Sequence, residues 1–342
     1  MGWRKNILPY QKPELSRSMW QLANTLIPFL VLWASAYLCL SFSVWLSLLL
    51  DIVASGFLIR TFILFHDCCH HSFFRSRKAN EIVGTVTGIL TGFPYQKWRR
   101  EHNVHHAGNG NLGQRGTGDI TTLTVEEYLA LPLYRRIVYR MYRNPLILFG
   151  LGPLYLILIQ CRVNRKGAGR KERLSTYVTN LILLAVTILL YWTLGWKSLL
   201  LVEGPILYLS AVAGIWLFYV QHQFEDTYYE ESASWNYETA AMQGSSYYKL
   251  PKIVQWITGN IGFHHIHHLS PAVPNYNLQA AHERNPAFQS VPTIGLLISL
   301  RSLHYRLWDT KRKKLVGFKG ARYSRESLTE TNEEENGQRM II

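Results

Sequence analysis

Ten of the thirteen histidines in the chain crowd into three short windows. In the first, His66 and His70 stand four apart, so on a helix both rings leave one face. In the second, His102, His105 and His106 follow an i, i+3, i+4 pattern. The third, His264, His267 and His268, repeats it with His265 inserted. A lone His222 closes an apolar stretch. Neutral imidazole ligates iron, zinc, copper or nickel, so residue type alone leaves the metal open. Number is more informative. A structural zinc is closed by four ligands and a catalytic one by three, whereas nine histidines can serve two metals and leave positions for a reactant. Carboxylate-rich di-iron bundles use Glu-x-x-His pairs, which the apolar stretches lack. Storage tracts rich in histidine have irregular spacing. The pattern therefore predicts a catalytic dinuclear site built from histidine alone.

The remaining histidines are open in role. His71 and His265 fit ligands in a shifted register, donors that orient other rings, or surface residues, while His282 and His304 read as ordinary polar side chains. Imidazoles that bind metal need partners for their second nitrogen. Asp67 and Asn260 are the leading candidates, followed by Glu101, Asn103, Glu225 and Asp226.

The elements that must position these rings are apolar. Hydrophobic residues make up 48% of the chain and charged residues only 17%, below the roughly 25% of soluble domains. Residues 20–40 and 43–65 form one pair of membrane-length runs, and 177–192 and 199–220 a second pair around a turn at 194–198. Two shorter apolar segments, 82–93 and 144–161, read as re-entrant or interfacial. The block 162–173 holds six basic residues against one acidic, which marks a cytoplasmic side. The expected fold is an all-α integral membrane protein with four main spans in two hairpins. Both hairpins open toward a helical cytoplasmic cap that carries the metal site. Residues 1–19 form a cytoplasmic N-terminal segment, 20–308 the membrane domain, and 309–342 a disordered charged tail, most clearly over 324–338.

Other classes recede. The net charge of +14 sits in blocks flanking the spans, and no nucleic-acid-binding signature accompanies it. Cys39, Cys68, Cys69 and Cys161 lack metal spacing and predict no disulfide. No iron–sulfur or haem-attachment pattern is present, so no fused electron-carrier module is expected. Asp51, about 22 Å from His66 along a helix, and Arg60 read as structural, with Arg60 snorkelling or pairing across its hairpin.

These boxes, in this order, resemble those of the membrane fatty acid desaturases over residues 20–308. The nearest likeness is to the bacterial acyl-lipid Δ5 enzymes. It is carried by Phe65-His66-Asp67-Cys68-Cys69-His70, by Arg115-Gly116-Thr117-Gly118-Asp119, by residues 216–222 and by residues 258–271 around Phe263-His264-His265-Ile266-His267-His268. The resemblance implies that His66, His70, His102, His105, His106, His222, His264, His267 and His268 bind two iron ions. It implies O2-dependent insertion of a cis double bond into saturated acyl chains of membrane phospholipids, with electrons from ferredoxin or flavodoxin. It also implies a multi-pass place in the cell membrane and a part in cold adaptation. A hydroxylase on the same scaffold, or a non-catalytic metal-binding membrane protein, are the rival readings.

Overall fold

A computed structural model describes residues 2–320. Helix α1, Leu15–Cys39, is followed after four residues by α2, Val44–Cys69. So short a link makes the two antiparallel neighbours. Ser43 begins α2 by accepting a hydrogen bond from the Leu46 amide at 3.2 Å, a side-chain cap for an otherwise orphaned donor. Helix α3, Arg77–Thr91, packs along α2. At 15 residues it is about 22 Å long, short of a hydrocarbon core roughly 30 Å thick. The packing is close: a Cβ on Gly84 would lie 2.3 Å from the Tyr95 ring.

Helix α4, Tyr95–Gly108, carries the second histidine box. Helix α5, Leu133–Tyr142, is bent by 57° from the wound segment Ile147–Gln160. That segment contains two π-helical stretches, Ile147–Leu151 and Leu156–Gln160, a loosened winding often found at functional sites.

Helix α6 is assigned continuously over Arg170–His222, 53 residues, which would extend about 80 Å if straight. It does not. Glu172 pairs with Arg100 at 3.3 Å, and His222 Nε2 lies 3.2 Å from His105 Nε2. Both ends of α6 thus return to the same short helix, α4. The reversal falls at Gly195, φ 79° and ψ 158°, a backbone state suited to glycine and inside the turn expected at 194–198. Among the described residues, α1, α2 and α6 are long and apolar enough to cross a membrane, and a fourth crossing arises if the bent pair α5 and Ile147–Gln160 counts as one. Their outward faces are apolar, with Trp45 and Trp192 82% and 79% exposed, a surface that lipid rather than water satisfies.

The cap holds the short helices α7, His264–Leu269, and α8, Asn275–Glu283. It is not wholly helical, which corrects the all-α expectation. Strand β1, Leu123–Thr124, pairs in parallel with β4, Leu307–Asp309, which pairs antiparallel with β5, Lys314–Val316; β2, Tyr247–Lys249, pairs in parallel with β3, Thr293–Gly295. The β4–β5 hairpin also moves the expected tail boundary. Trp308 and Leu315 are buried under Tyr229 and Leu112, so residues 309–316 belong to the folded cap. The expected disorder over 324–338 lies outside the described residues.

Candidate metal centre

The three boxes and His222 converge where α2, α4, α6 and α7 meet. Their ring nitrogens form two groups, each with all ligand atoms within 4.8 Å of one another: His66, His70, His102, His106 and His267; and His105, His222, His264 and His268. Helix periodicity sorts them. In α4 the i, i+4 pair His102 and His106 enters the first group, while His105 is turned into the second. In α7 the pair His264 and His268 enters the second, and His267 crosses to the first. Helix α2 adds a pair to one group, and α6 adds a single ring to the other. All nine sequence-derived histidines are brought together.

Within the groups, Nε2 atoms face each other. The separations are 3.1 Å for His102 and His106, 2.9 Å for His106 and His267, 3.0 Å for His222 and His264, and 3.2 Å for His105 and His222. The Nε2 atoms of His70 and His268 are buried with no hydrogen-bond partner. Burial is the main reason that His70, His102, His105, His106, His264, His267 and His268 are all held well below the usual histidine pKa, with neighbouring histidines adding to it. Neutral imidazole is the ligating form. Converging lone pairs and orphaned nitrogens fit one cation in each group, and an all-nitrogen donor set suits borderline transition metals.

Asp67 places Oδ1 3.2 Å from His66 Nδ1. Its Oδ2 accepts from the Asn275 backbone and side-chain amides at 2.6 and 2.8 Å. His222 Nδ1 lies 2.9 Å from the Gly244 carbonyl. Neither Asn275 nor Gly244 has a spacing signal that sequence reading could use.

Asn260 takes a different place from the one expected. Its left-handed backbone, φ 59°, turns the side chain toward Asn275 O and Gln255, so its hydrogen bonds go to these groups rather than to an imidazole. Asn103 is exposed, and Glu225 and Asp226 pair with Lys314 at 3.5 and 3.3 Å. Glu101 lines a cavity beside His102. His265 is fully buried outside both groups, its Nε2 3.1 Å from His282 Nδ1. His71, φ 56° and half-buried, also stands outside them.

Deeper in the spans, Arg60 donates from Nε to Thr25 at 3.0 Å and lies 3.9 Å from the centre of the Trp256 ring, the pairing across the hairpin that was anticipated. Asp51 is fully buried without a hydrogen-bond partner. Glu203, passed over in an apolar run, accepts from Trp33 Nε1 at 2.6 Å and Tyr37 Oη at 3.0 Å.

A cavity of about 570 Å³ opens beside the histidines, with His66, His102 and His264 at one end. It follows α6 from Gln221 to Leu207 and faces the wound segment across from it. Trp98 forms part of its wall and stacks on His102, ring centres 4.2 Å apart.

Residues 43–294 match the family model described as Fatty acid desaturase. The chain belongs to the fatty acid desaturase family. The desaturase is 52% identical over 324 residues to the "Fatty acid desaturase" of Bacillus subtilis (strain 168), an alignment covering 95% of this chain and 92% of that protein. It is 25% identical to the "sn-1 oleoyl-lipid 12-desaturase" of Synechocystis sp., over 73% of this chain and 71% of the other. The chloroplastic "Omega-6 fatty acid desaturase" of Arabidopsis thaliana is 28% identical over 65% of this chain and 49% of its own length. The desaturase is therefore an oxidoreductase whose histidine clusters lie against an apolar cavity, the arrangement needed to oxidise a lipid chain.

Proposed function

We propose that this desaturase uses two iron ions, held by the groups of five and four histidines, to place a cis Δ5 double bond in saturated acyl chains of membrane phospholipids. The observation that carries the reading is the apolar cavity that ends on rings of both histidine groups. An unactivated methylene has neither an acidic proton nor a leaving group, so acid–base or nucleophilic catalysis cannot attack it. When bound, the irons would supply the oxidation of that methylene by dioxygen. In balance, two adjacent methylenes, O2, two electrons and two protons yield one double bond and two waters.

The chain's own side chains supply position. Phe62 and Trp98 wall the cavity next to His66 and His102, which favours an extended hydrocarbon and excludes water. Asp67 and the Gly244 carbonyl fix ring orientation in His66 and His222. Leu151 and Tyr155 of the wound segment line the cavity and are 62% and 55% exposed, which supports an opening on this side through which a chain still attached to a membrane lipid reaches the site. The lipid-linked substrate in the name of the Synechocystis relative supports the same choice. The Δ5 position rests on the motif likeness alone.

In this reading α1 and α2 form one membrane hairpin and the two halves of α6 the other. The basic block 162–173 and the metal centre share the cytoplasmic side, where a ferredoxin or flavodoxin would dock by charge attraction. The test is expression in cells that make only saturated chains, with iron and a carrier supplied. Mass spectrometry of lipids should then locate Δ5 double bonds, and elemental analysis should find two irons per chain. New hydroxyl groups would assign a hydroxylase, and unchanged lipids with metal in place would refute the enzyme.

A further inference from the structure

The cavity runs alongside α6 for a defined distance. Its lining on that helix begins at Gln221, next to His222, and reaches Leu207, 14 residues or about 21 Å of helix. Between these ends the helix presents Leu217, Ile215, Gly214, Ala211 and Ser210 to the cavity. Close to the metal centre the wall is large: the Phe218 ring lies 5.0 Å from the His105 ring and 5.4 Å from the His222 ring. One turn further along the helix from Phe218 the wall is Gly214, with Ile215 beside it.

Gly214 differs from the close-packed glycines of this fold. A Cβ built on Gly84 or Gly88 would collide with Tyr95 or with the Phe93 carbonyl, whereas a Cβ on Gly214 meets nothing within 4 Å. Its backbone is helical and needs no glycine for conformation. A glycine in a helix interior weakens the helix relative to alanine, and here no packing contact demands one. The remaining consequence of its small size is open volume, eight residues or about 12 Å along the helix from His222.

We infer that Gly214 sets the depth to which an acyl chain passes beyond the metal centre, and that Ser210, one turn deeper, sets the next limit. This rests on the acyl-chain reading of the cavity. The distal hydrocarbon of the substrate lies along this face of α6. A side chain at position 214 caps the space about 12 Å from His222, and one at 210 caps it about 6 Å further out.

The experiment compares wild type, Gly214→Phe and Ser210→Phe in cells supplied with saturated chains of graded length, with Leu200→Phe on the exposed side of α6 as the control for added bulk. Products are resolved by chain length, and bound metal is measured for each variant. For Gly214→Phe, conversion of the longest chains should fall at least about tenfold relative to the shortest, as expected when added bulk takes up space that the chain must fill. Ser210→Phe should show the same discrimination with a cut-off several carbons longer, and Leu200→Phe should keep the wild-type profile. Uniform loss across chain lengths in metal-loaded Gly214→Phe, or an unchanged profile, overturns the assignment. If Gly214→Phe does not accumulate, Ser210→Phe decides by the same criterion. A wild-type chain that desaturates nothing would instead refute the proposed function.

Discussion

The Nε2 atoms of His267 and His106 lie 2.9 Å apart, although the two residues are 161 positions apart in the chain. With His66, His70 and His102 they form one group, while His268, the residue after His267, belongs to the other. Adjacent side chains therefore face different histidine groups. On the proposed two-metal reading, His268→Ala should lower bound metal by about one ion per chain, and His267→Ala should do the same through the opposite group. His265→Ala should leave the metal content unchanged, because its ring faces His282 instead. Elemental analysis of purified protein checks all three, and loss of metal in His265→Ala would revise the ligand set.

Asp67 bridges the metal centre to the cap. One carboxylate oxygen meets His66 and the other meets both amides of Asn275. Removing its charge by Asp67→Asn should cost about 10–100-fold in metal affinity or turnover, the range for partners that orient ligands. Asn275→Ala should act in the same direction with smaller effect, since it holds Asp67 rather than the ring. The double variant should cost less than the two single effects combined, because the residues share one network. Chelator competition measures the affinities; full additivity would separate Asn275 from this role.

The histidine groups were legible in sequence because helix geometry converts i, i+3 and i+4 spacing into shared direction. The long apolar helices α1, α2 and α6 were legible because extended runs of apolar residues have few alternatives to a membrane. Orientation of the rings was another matter. Asn260 is close in sequence to the third box, but a left-handed turn sends its amide to Asn275 and Gln255. The groups that do meet His66 and His222 include a backbone carbonyl at Gly244, which carries no residue signature. Strands of three residues, such as β4 and β5, are too short for periodicity to register, so the end of the cap read as tail. Glu203 was hidden by the apolar residues around it.

The buried histidines also predict the direction of acid sensitivity. Burial, then the neighbouring His282, pushes His265 down to about 3, below the ordinary value near 6.5, and the seven depressed box histidines shift the same way. Below pH 6.5 the unfolded chain takes up protons that the folded chain refuses, so the unfolded state gains and stability falls with pH. For His265 alone the loss between pH 6.5 and 5 is about 2 kcal/mol, and the whole set should exceed it. Thermal unfolding of metal-free protein in detergent should show a melting temperature that is level above pH 7 and declines steadily toward pH 5. A flat or rising profile on acidification would contradict neutral, buried rings.

The two acids inside the helix bundle should respond oppositely to neutralisation. Glu203 has donors suited to a carboxylate, Trp33 Nε1 and Tyr37 Oη, and charge-assisted bonds of this type are the stronger ones. Asp51 is fully buried and its two oxygens have no partner, a state that costs roughly 1–3 kcal/mol or more. Asp51→Leu, which removes the orphaned oxygens, should therefore raise the melting temperature, and Glu203→Gln should lower it by weakening both bonds. Asp51 lies fifteen residues before His66, about 22 Å along α2, so desaturation by Asp51→Leu should persist. Thermal unfolding read beside lipid analysis separates the possibilities: loss of product from a stable, metal-loaded Asp51→Leu variant would give this buried acid a part in the reaction.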